Sequence, residues 1–576
     1  MTIFHSNAPP LVPPPDDLTL PQVMLDYRGG HPTRPVRPRD IPWFVDEENG
    51  RMVFEEEVRA RTDAFARAMR HGWGIGKDDV VAICSPNQID YPISVWATHR
   101  LGAAVAMMGP SLTTSELVYQ LKLAEPALII AHGENISTVL EAAFQYGLAQ
   151  DRVIVLDAHK SHSPVSCKSV SALIDEGHLL PSVPEFTLAP GEGKTKIAAL
   201  CFSSGTTGNP KAVAVSHYNI ISNILQTATT NRVNEDYAPW EDRRYRPGDR
   251  SVAVLPIYHI YGLVAVWHFA LYVGLSVVVV QKFNYEGLLQ AIQRYKVTHL
   301  FIVPPQVVLF CKHPATKKYD LSSVRVVMVA AAPLSGELTA QMLKLMPGIH
   351  MGQGYGLTET CAAVSLWPVS SKVGTPGSAG QLISGTIAKV VRPDGTLAGV
   401  GEPGELWLKG GQITLGYHRN EQATRECFVD GWFKSGDEVI MQENGDLFIT
   451  DRIKELIKVK GYQVAPAELE GHLLDHPHVA DAGVIGLPDE YSGELPLAFV
   501  VLQPHIAPKA QADGAVAAEI RSSIFKHVAE AKSEYKWLTG GIVFIDAIPK
   551  NPSGKILRRL LRERAKAMIA PARSRL

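Results

Sequence analysis

Residues able to bind an anion are concentrated between Leu200 and Lys211. A short apolar run leads into six consecutive small residues, which are Ser203, Ser204, Gly205, Thr206, Thr207 and Gly208, and then into NPK. Small residues let backbone N–H groups converge on an anion, hydroxyls add donors, and a lysine adds positive charge. The segment therefore predicts a phosphate-binding loop, although it lacks the Ser or Thr after the lysine of the GxxxxGK[ST] loop. The alternative is a surface turn rich in Ser, Thr and Gly.

Three more segments carry side chains suited to nucleotide or metal binding. They are GQGYGLTE at 352–359, SGD ending at Asp437, and PSGK ending at Lys555. The first combines an aromatic ring, a hydroxyl and a carboxylate, and a hard cation prefers carboxylate and phosphate oxygens. Taken alone, it is also typical of a turn that opens a helix with Thr358 as the cap. Asp437 alone is typical of a turn, and the lysines of KELIKVK at 454–460 are typical of a solvated face.

Together these motifs resemble the signatures of the adenylate-forming enzymes. That family includes acyl- and aryl-CoA ligases, firefly luciferase and the adenylation domains of peptide synthetases, and the similarity is greatest to 4-coumarate-CoA-ligase-like enzymes. It covers nearly the whole chain, because further motifs follow in the family's order. They are PIYHIYG at 256–262, AAAPL at 330–334, GQGYGLTET at 352–360, GEL at 404–406, GWFKSGD at 431–437, DRIKELIKVKGYQVAPAELE at 451–470 and NPSGKILRR at 551–559.

The resemblance implies a reaction and a nucleotide site. A carboxylic acid and ATP, with Mg²⁺, would give an acyl-adenylate and pyrophosphate; coenzyme A would then take the acyl group and release AMP. Tyr355 would stack on adenine, Thr358 would bond the α-phosphate, and Glu359 would hold the Mg²⁺. Asp437 would bind the ribose, with Arg452 as its partner. The neighbouring members of the predicted nucleotide site are Gln353, Gly354, Gly356 and Lys211.

The resemblance also implies that the C-terminal part of the chain moves and takes part in catalysis. Lys454 matches the hinge about which a small domain rotates. Lys458 and Gln463 match residues that assist the adenylate and thioester steps, and Gly461 fits close packing near the pantetheine channel. Lys555 matches the catalytic lysine that bridges the carboxylate and the α-phosphate.

The acid site is predicted from the same resemblance. His259 matches a histidine that gates the acid and Tyr258 should line the pocket with Gly354, although an ordinary core histidine is the alternative for His259. The sequence has no Phe-Asp pair of the kind with which amino-acid adenylation domains bind an α-amine. A substrate without that amine is therefore expected. It departs from the family at Ala330, where glycine is usual, and at Ala362 and Ala363, where coumarate ligases carry larger residues. These differences argue against a hydroxycinnamate substrate.

The pattern of apolar segments predicts an α/β fold with two domains. Short apolar runs such as DVVAICSP and THLFIVPP alternate with helical patterns such as SELVYQLKLA, which indicates parallel α/β layers. Residues 401–451 suggest short antiparallel strands. We expect a large N-terminal multi-subdomain α/β domain over 1–450 and a smaller mobile C-terminal α+β domain over 451–576. The proline-rich first 40 residues should lie extended on the surface.

Composition narrows the classes of protein and of partner. The 576 residues include 56 basic and 58 acidic side chains, a balance that gives no reason to expect nucleic acid as a partner. The six cysteines show no CxxC pair, which disfavours a zinc site or a disulfide framework. The first residues do not resemble a signal peptide. Residues 251–280 lack charge, but their prolines, histidines and glycines favour a strand, a loop, a buried helix and a strand over a membrane span.

The last three residues, Ser574, Arg575 and Leu576, resemble the peroxisomal address S-K-L. They predict that a peroxisomal import receptor is a partner and that the protein is located in peroxisomes. Without import, the predicted location is the cytoplasm.

Within the family, a stand-alone enzyme that loads a carrier protein or a luciferase-like oxidase is the alternative function. A catalytically silent nucleotide-binding scaffold is a second class, but such a protein would have lost the charged residues that this chain keeps.

Overall fold

A computed structural model describes residues 2–156, 167–203, 210–453, 455–459, 462–489, 491–551 and 554–573. Four β-sheets are formed within these ranges. Two large, mainly parallel sheets, of six and nine strands, and a six-stranded antiparallel sheet build the first 450 residues, and the fourth sheet lies in the C-terminal part. The prediction of an α/β fold is confirmed. The division into domains at residue 450 stays a prediction.

The first sheet has the strand order β7-β6-β4-β5-β8-β9 and is parallel except for β9. Its strands are β4 (Val80–Cys84), β5 (Ala104–Met108), β6 (Leu128–Ala131), β7 (Val153–Val155), β8 (Ile197–Ser203) and β9 (Lys211–Ser216). The helices around it are α2 (Glu55–Trp73), α3 (Asp90–Arg100), α4 (Thr114–Ala124), α5 (Ile136–Tyr146), α6 (Val170–Leu179) and α7 (His217–Thr230). These strands are continuous apolar runs because helices cover both faces of a parallel sheet.

The second sheet has nine strands, in the order β16-β15-β14-β13-β12-β10-β11-β2-β3. They are β2 (Phe44–Asp46), β3 (Met52–Val53), β10 (Arg250–Ala253), β11 (Ser276–Val279), β12 (His299–Ile302), β13 (Val326–Val329), β14 (His350–Leu357), β15 (Ala362–Leu366) and β16 (Gln381–Leu382). Helices α8 (Ala270–Tyr272), α9 (Tyr285–Tyr295), α10 (Pro304–Lys312) and α11 (Gly336–Leu345) connect them. One continuous apolar core contacts both large sheets.

The uncharged stretch at 251–280 folds as predicted, into a strand, a loop, a buried helix and a strand. The helix is unusual because its first part, Gly262–Phe269, is a π-helix in which every residue is buried. His268 contributes to its stability: Nδ1 lies 2.7 Å from the Leu263 carbonyl oxygen, and Nε2 accepts a hydrogen bond of 3.0 Å from Trp96. In the part of the chain that the structure describes, every helix is too short or too polar to cross a membrane.

The third sheet is antiparallel, as the sequence of residues 401–451 predicts. It contains β1 (Phe4–His5), β17 (Ile387–Val391), β18 (Pro403–Lys409), β19 (Phe428–Val429), β20 (Trp432–Met441) and β21 (Leu447–Arg452), with α12 (Glu421–Cys427) beside it. The expectation that the first 40 residues lie extended on the surface is wrong for residues 20–24, which form the buried helix α1 (Leu20–Met24). The Thr19 N–H donates to the Gln22 side chain at 2.8 Å and caps the start of this helix. Phe4 and His5 are extended, as expected, and pair with β17.

The C-terminal part is an α+β unit. Its sheet consists of β22 (Ile457–Val459), β23 (Tyr462–Val464), β24 (Val479–Asp489), β25 (Gly493–Leu502) and β26 (Gly541–Phe544). Its helices are α13 (Pro466–Leu474), α14 (Ala507–Ala512), α15 (Gly514–Ala531) and α16 (Arg558–Arg573). The unit contacts the rest of the protein where Lys312 on α10 donates to the Leu474 carbonyl oxygen at 2.8 Å.

Candidate active site

A cavity of about 680 Å³ lies between the large sheets, the antiparallel sheet and the C-terminal unit. The carboxyl ends of β5, β8, β13 and β14 reach it, which is where ligands usually bind in parallel α/β sheets. Fourteen residues of the predicted site line it. They are Ser203, Lys211, Tyr258, His259, Ala330, Gly354, Tyr355, Gly356, Thr358, Glu359, Ala362, Ala363, Arg452 and Lys555.

The remaining predicted site residues lie elsewhere or outside the described residues. Asp437 lies directly behind Tyr355, and the Gln353 side chain accepts a hydrogen bond from the Leu334 N–H at 2.8 Å. Lys458 is exposed on β22 and does not line the cavity. Gln463 belongs to β23, but its side chain is outside the described residues, as are Ser204, Gly205, Thr206, Thr207, Gly208, Lys454 and Gly461. The proposed roles of these residues stay predictions.

The end of the cavity predicted to hold the nucleoside is built on β14, β20 and β21. The Tyr355 hydroxyl donates to Asp437 Oδ2 at 2.5 Å, and Arg452 Nε lies 3.2 Å from Asp437 Oδ1. Asp437 and Arg452 face each other because β20 and β21 pair at this register. Burial raises the pKa of Asp437, and the Arg452 guanidinium opposes that rise. The carboxylate is thus held in one orientation behind the ring of Tyr355, which faces the cavity.

The cation-rich end predicted to hold phosphates contains a contact that the sequence did not indicate. Glu359 lies in a short helical turn after β14, and its Oε1 accepts a hydrogen bond of 2.9 Å from the Tyr417 hydroxyl. Lys211 Nζ lies 4.6 Å from the centre of the Tyr417 ring, within cation–π distance. Burial, followed by the charge of Glu359, raises the pKa of Tyr417 strongly, so the phenol stays protonated and donates.

The side chains at this end fit Mg²⁺ that is shared with phosphates. No described group of three or more His, Cys, Asp or Glu residues could hold a metal ion by itself. Glu359 supplies one carboxylate and Thr358 lies beside it on the cavity wall. Mg²⁺ commonly binds in this way, through one or two carboxylates plus substrate phosphates and water.

Lys555 reaches the cavity from the segment that connects β26 to α16 in the C-terminal unit. The loop is closed by Asn551: the Lys555 N–H donates to Asn551 Oδ1 at 2.8 Å, and the Asn551 N–H donates to the Lys555 carbonyl oxygen at 2.9 Å. Burial, and then the charge of Arg452, lowers the pKa of Lys555 to about 8. At neutral pH the amine is still mainly protonated and can attract a developing negative charge.

The opposite end of the cavity is mostly apolar. Tyr258 and His259 lie with Tyr261 of the same PIYHIYG motif. Beside them are side chains that the sequence did not indicate, which come from strand ends and from the π-helix: Met107, Phe202, Ala265, Met328 and Leu366. Burial, with the nearby charge of Lys555, lowers the pKa of His259 to about 4, so its imidazole is neutral at pH 7. The Tyr261 N–H donates to His259 Nδ1 at 3.3 Å, which leaves the proton of the neutral ring on Nε2.

Comparison with known families agrees with this arrangement. Residues 34–418 match the model of the AMP-binding enzyme family, and residues 468–555 match the C-terminal domain of AMP-binding enzymes. The first match alone covers more than half of the chain. The chain therefore belongs to the AMP-binding enzyme family, and its resemblance to the adenylate-forming enzymes is confirmed.

Related proteins match over almost their full lengths. The chain is 34% identical to 4-coumarate–CoA ligase 2 of Oryza sativa subsp. japonica, over 98% of this chain and 96% of that protein. It is 37% identical to the probable 4-coumarate–CoA ligase 1 of Dictyostelium discoideum, over 85% and 86%. The anthranilate CoA ligase AuaEII, solved with anthranoyl-AMP, superimposes with a TM-score of 0.82 at 24% identity over 96% of this chain and 99% of its own. That likeness shows the fold.

Proposed function

We propose that this chain is an AMP-forming acid–thiol ligase that uses ATP and Mg²⁺ to join an aryl or acyl carboxylic acid to coenzyme A. The observation that carries the proposal is the position of Lys555. Its side chain lies in one cavity with Lys211 and Glu359 at the phosphate end and with Tyr258 and His259 at the apolar end. A carboxylate beside Lys555 would have its tail in the apolar end and its oxygens toward the phosphates.

The first step is adenylate formation. A carboxylate oxygen attacks the α-phosphorus of ATP, the bond between the α-phosphorus and the bridging oxygen breaks, and pyrophosphate leaves. No proton moves, so catalysis is mainly positioning and charge stabilisation. The Lys555 ammonium holds the carboxylate against the α-phosphate, and Lys211 offsets charge on the phosphate chain. Glu359 would hold Mg²⁺, which would neutralise part of the phosphate charge.

The second step is thioester formation. The sulfur of coenzyme A attacks the acyl carbonyl carbon, the thiol proton is lost to solvent, and the carbon–oxygen bond to AMP breaks. Lys555 lies in the cavity in this structure, whereas the side chain of Lys458, on β22 of the same unit, is exposed to solvent. This arrangement suits the first step, and we infer that rotation near Lys454 brings Lys458 and Gly461 to the cavity for the second.

The acid is an apolar one of aryl or acyl type. Neutral His259 adds no charge to the acid end, and the walls around Met328 and Leu366 are apolar. The relatives named for 4-coumarate support an aromatic acid. Ala330 adds a methyl group beside the acid compared with glycine, whereas Ala362 and Ala363 take less room than larger residues. The pocket is therefore shaped differently from that of a hydroxycinnamate ligase.

The proposal is tested with a panel of medium-chain, phenylacetic, cinnamic and hydroxylated acids. AMP release is measured with and without coenzyme A, and the thioester is identified by mass spectrometry. We expect that, with at least one acid, the rate of AMP release rises strongly when coenzyme A is added.

A variant tests the role of Lys555. Lys555→Ala should lower the overall rate by about 10²–10³. Lys566→Ala, an exposed lysine on α16, is the matched control and should behave as wild type. Adenylate that transfers only to a carrier protein would favour the alternative function.

We also propose import into peroxisomes through Ser574, Arg575 and Leu576. These residues lie outside the described part of the chain, and the proposal depends on their likeness to S-K-L. A fluorescent protein fused to the N-terminus should give puncta that coincide with a peroxisomal marker. Deletion of the three residues should make the signal diffuse, and a diffuse signal from the intact fusion would contradict the proposal.

A further inference from the structure

Three charged side chains are buried together inside the C-terminal unit. Arg558 NH1 lies 2.6 Å from Glu455 Oε2, and Arg558 NH2 lies 2.9 and 2.8 Å from the two carboxylate oxygens of Glu470. Each of the three residues is only 8% exposed. We call this group the Arg558 triad.

The triad connects the segments that matter most for the position of Lys555. Glu455 directly follows the predicted hinge residue, and Arg558 begins α16 three residues after Lys555. Glu470 lies on α13, where its Oε1 also accepts a hydrogen bond of 2.8 Å from the Val484 N–H on β24. Arg558 Nε donates to the Val484 carbonyl oxygen at 3.3 Å. The start of α16 is therefore fixed to the hinge segment, to α13 and to β24.

The other end of the same loop is fixed to the same strand. Lys550 Nζ lies 2.6 and 2.9 Å from the carboxylate oxygens of Asp481 on β24. Asn551 then closes the backbone around Lys555 through its side chain and its N–H. Because Lys550 and Asn551 before Lys555 and Arg558 after it are all held by hydrogen bonds, the flexible lysine side chain can be directed toward the cavity.

A need for stability alone is a weak explanation for the triad. Burying charges costs desolvation free energy, and well-packed apolar side chains in their place are often at least as stable. Two carboxylates share one guanidinium here. The charge of Glu455 raises the pKa of Lys555 against burial and Arg452, and Arg558 lowers that pKa by a smaller amount. The arrangement is better explained by an effect on Lys555.

We propose that Arg558 and Glu455 are positioning residues for Lys555, which hold its ammonium group at the reacting atoms during adenylate formation only. This inference rests on the proposed function. In the second step the C-terminal unit presents another face, and the triad moves with the unit as a whole. Loss of the triad should therefore slow the first step and leave the second unchanged.

The test compares the two half-reactions in Glu455→Gln and Arg558→Lys. Glu455→Gln keeps the shape of the side chain and removes its charge, whereas Arg558→Lys keeps the charge and loses the fork that contacts two carboxylates. Pyrophosphate release measures the first step. Conversion of chemically prepared acyl-adenylate and coenzyme A to thioester measures the second. We expect kcat of the first step to fall about 10- to 100-fold with KM for ATP nearly unchanged, because a small displacement of a catalytic group has effects of that size.

Glu468→Gln is the matched control. Glu468 lies on the same helix as Glu470, but its carboxylate is paired with Lys536 at 2.7 Å and Lys532 at 3.0 Å instead of with Arg558. It should leave both half-reactions within about twofold of wild type, as is usual for a partly exposed ion pair.

Three outcomes would overturn the inference. Parallel losses in both half-reactions, or losses no larger than those of Glu468→Gln, would reduce the triad to a structural role. A wild-type chain that releases no pyrophosphate with any acid would overturn the proposed function and the inference with it. Circular dichroism and thermal melts identify a variant that does not fold. If Arg558→Lys fails in this way, the near-isosteric Glu455→Gln decides between the positioning role and the structural one.

Discussion

The hydroxyl of Tyr417 donates a hydrogen bond of 2.9 Å to Oε1 of Glu359, a residue 58 positions earlier in the chain. The same ring lies beside Lys211 Nζ. One tyrosine therefore contacts both the carboxylate that we expect to hold Mg²⁺ and the lysine that we expect to contact phosphate. Its hydroxyl holds one carboxylate oxygen of Glu359 in place on the cavity wall.

The first prediction concerns this contact. Tyr417→Phe keeps the ring beside Lys211 but removes the hydrogen bond to Glu359. A hydrogen bond to a charged group contributes about 1.5–3 kcal/mol, which corresponds to about a 10- to 100-fold change in an equilibrium constant. We expect the Mg²⁺ concentration for half-maximal pyrophosphate release to rise about tenfold or more, with thermal stability nearly unchanged.

Tyr319→Phe is the control for that variant. Tyr319 accepts a hydrogen bond from Gln290 at 3.3 Å on the surface and does not line the cavity. An identical Mg²⁺ dependence for Tyr417→Phe and Tyr319→Phe would show that the Tyr417 contact has no part in metal binding.

The second prediction concerns Asp437. Asp437→Asn should leave the Arg452 guanidinium without its carboxylate and weaken a ribose site that needs two acceptor oxygens. Truncating one partner of a buried, hydrogen-bonded charge pair typically costs about 2–5 kcal/mol of binding. We expect KM for ATP to rise at least tenfold, measured by steady-state pyrophosphate release, with a smaller change in KM for the acid.

Asp446→Asn tests whether any buried aspartate in this region has the same effect. Asp446 is 2% exposed and accepts a hydrogen bond of 2.6 Å from Thr375, whereas Asp437 contacts Tyr355 and Arg452 of the cavity wall. It should lower thermal stability and leave KM for ATP unchanged. Equal effects of the two variants on KM would remove Asp437 from the nucleotide site.

The third prediction concerns pH. The pKa of Lys555 is lowered to about 8, so the ammonium form that adenylate formation needs is lost as pH rises through that value. The dependence of kcat/KM on pH reports groups of the free enzyme. We expect kcat/KM for ATP to fall on the alkaline side with a midpoint near 8. In Lys555→Arg the remaining kcat/KM for ATP should not fall with a midpoint near pH 8, because a guanidinium stays charged throughout this pH range. A fall that persists at the same pH in Lys555→Arg would assign it to another group.

Particular residues show why sequence reasoning succeeded at some places and not at others. The residues that line the site and were predicted lie in short contiguous motifs, such as Tyr258 and His259 in PIYHIYG. Tyr417 and the apolar wall residues were missed because their positions depend on contacts between distant segments. The Arg558 triad likewise joins residues 88 and 103 positions apart. A short sequence motif cannot predict contacts between residues that lie so far apart in the chain.

The spacing of apolar residues predicted which segments form helices and strands, but it did not predict the details of individual helices. The uncharged stretch at 251–280 indicates a buried helix, yet spacing does not show that it is a π-helix. The signal for α1 was present in Thr19 and Gln22, which form a capping pair, and the surrounding prolines obscured it.

The last prediction assigns adenylate formation and thioester formation to different parts of the C-terminal unit. Lys555→Ala removes a preorganised cation from the adenylation arrangement, so pyrophosphate release should fall by about 10²–10³. The same variant should convert supplied acyl-adenylate and coenzyme A to thioester at close to the wild-type rate, because Lys555 would have left the cavity by then. Gly461, which lies outside the described residues, is predicted to face the thiol after rotation. Gly461→Leu should therefore release pyrophosphate normally and fail in thioester synthesis. Quenched-flow measurement of both half-reactions distinguishes this mechanism from a single fixed site, in which each variant would slow both steps together. Such parallel losses in folded variants would contradict the two-arrangement mechanism, because a cavity with one arrangement has no step from which Lys555 is absent.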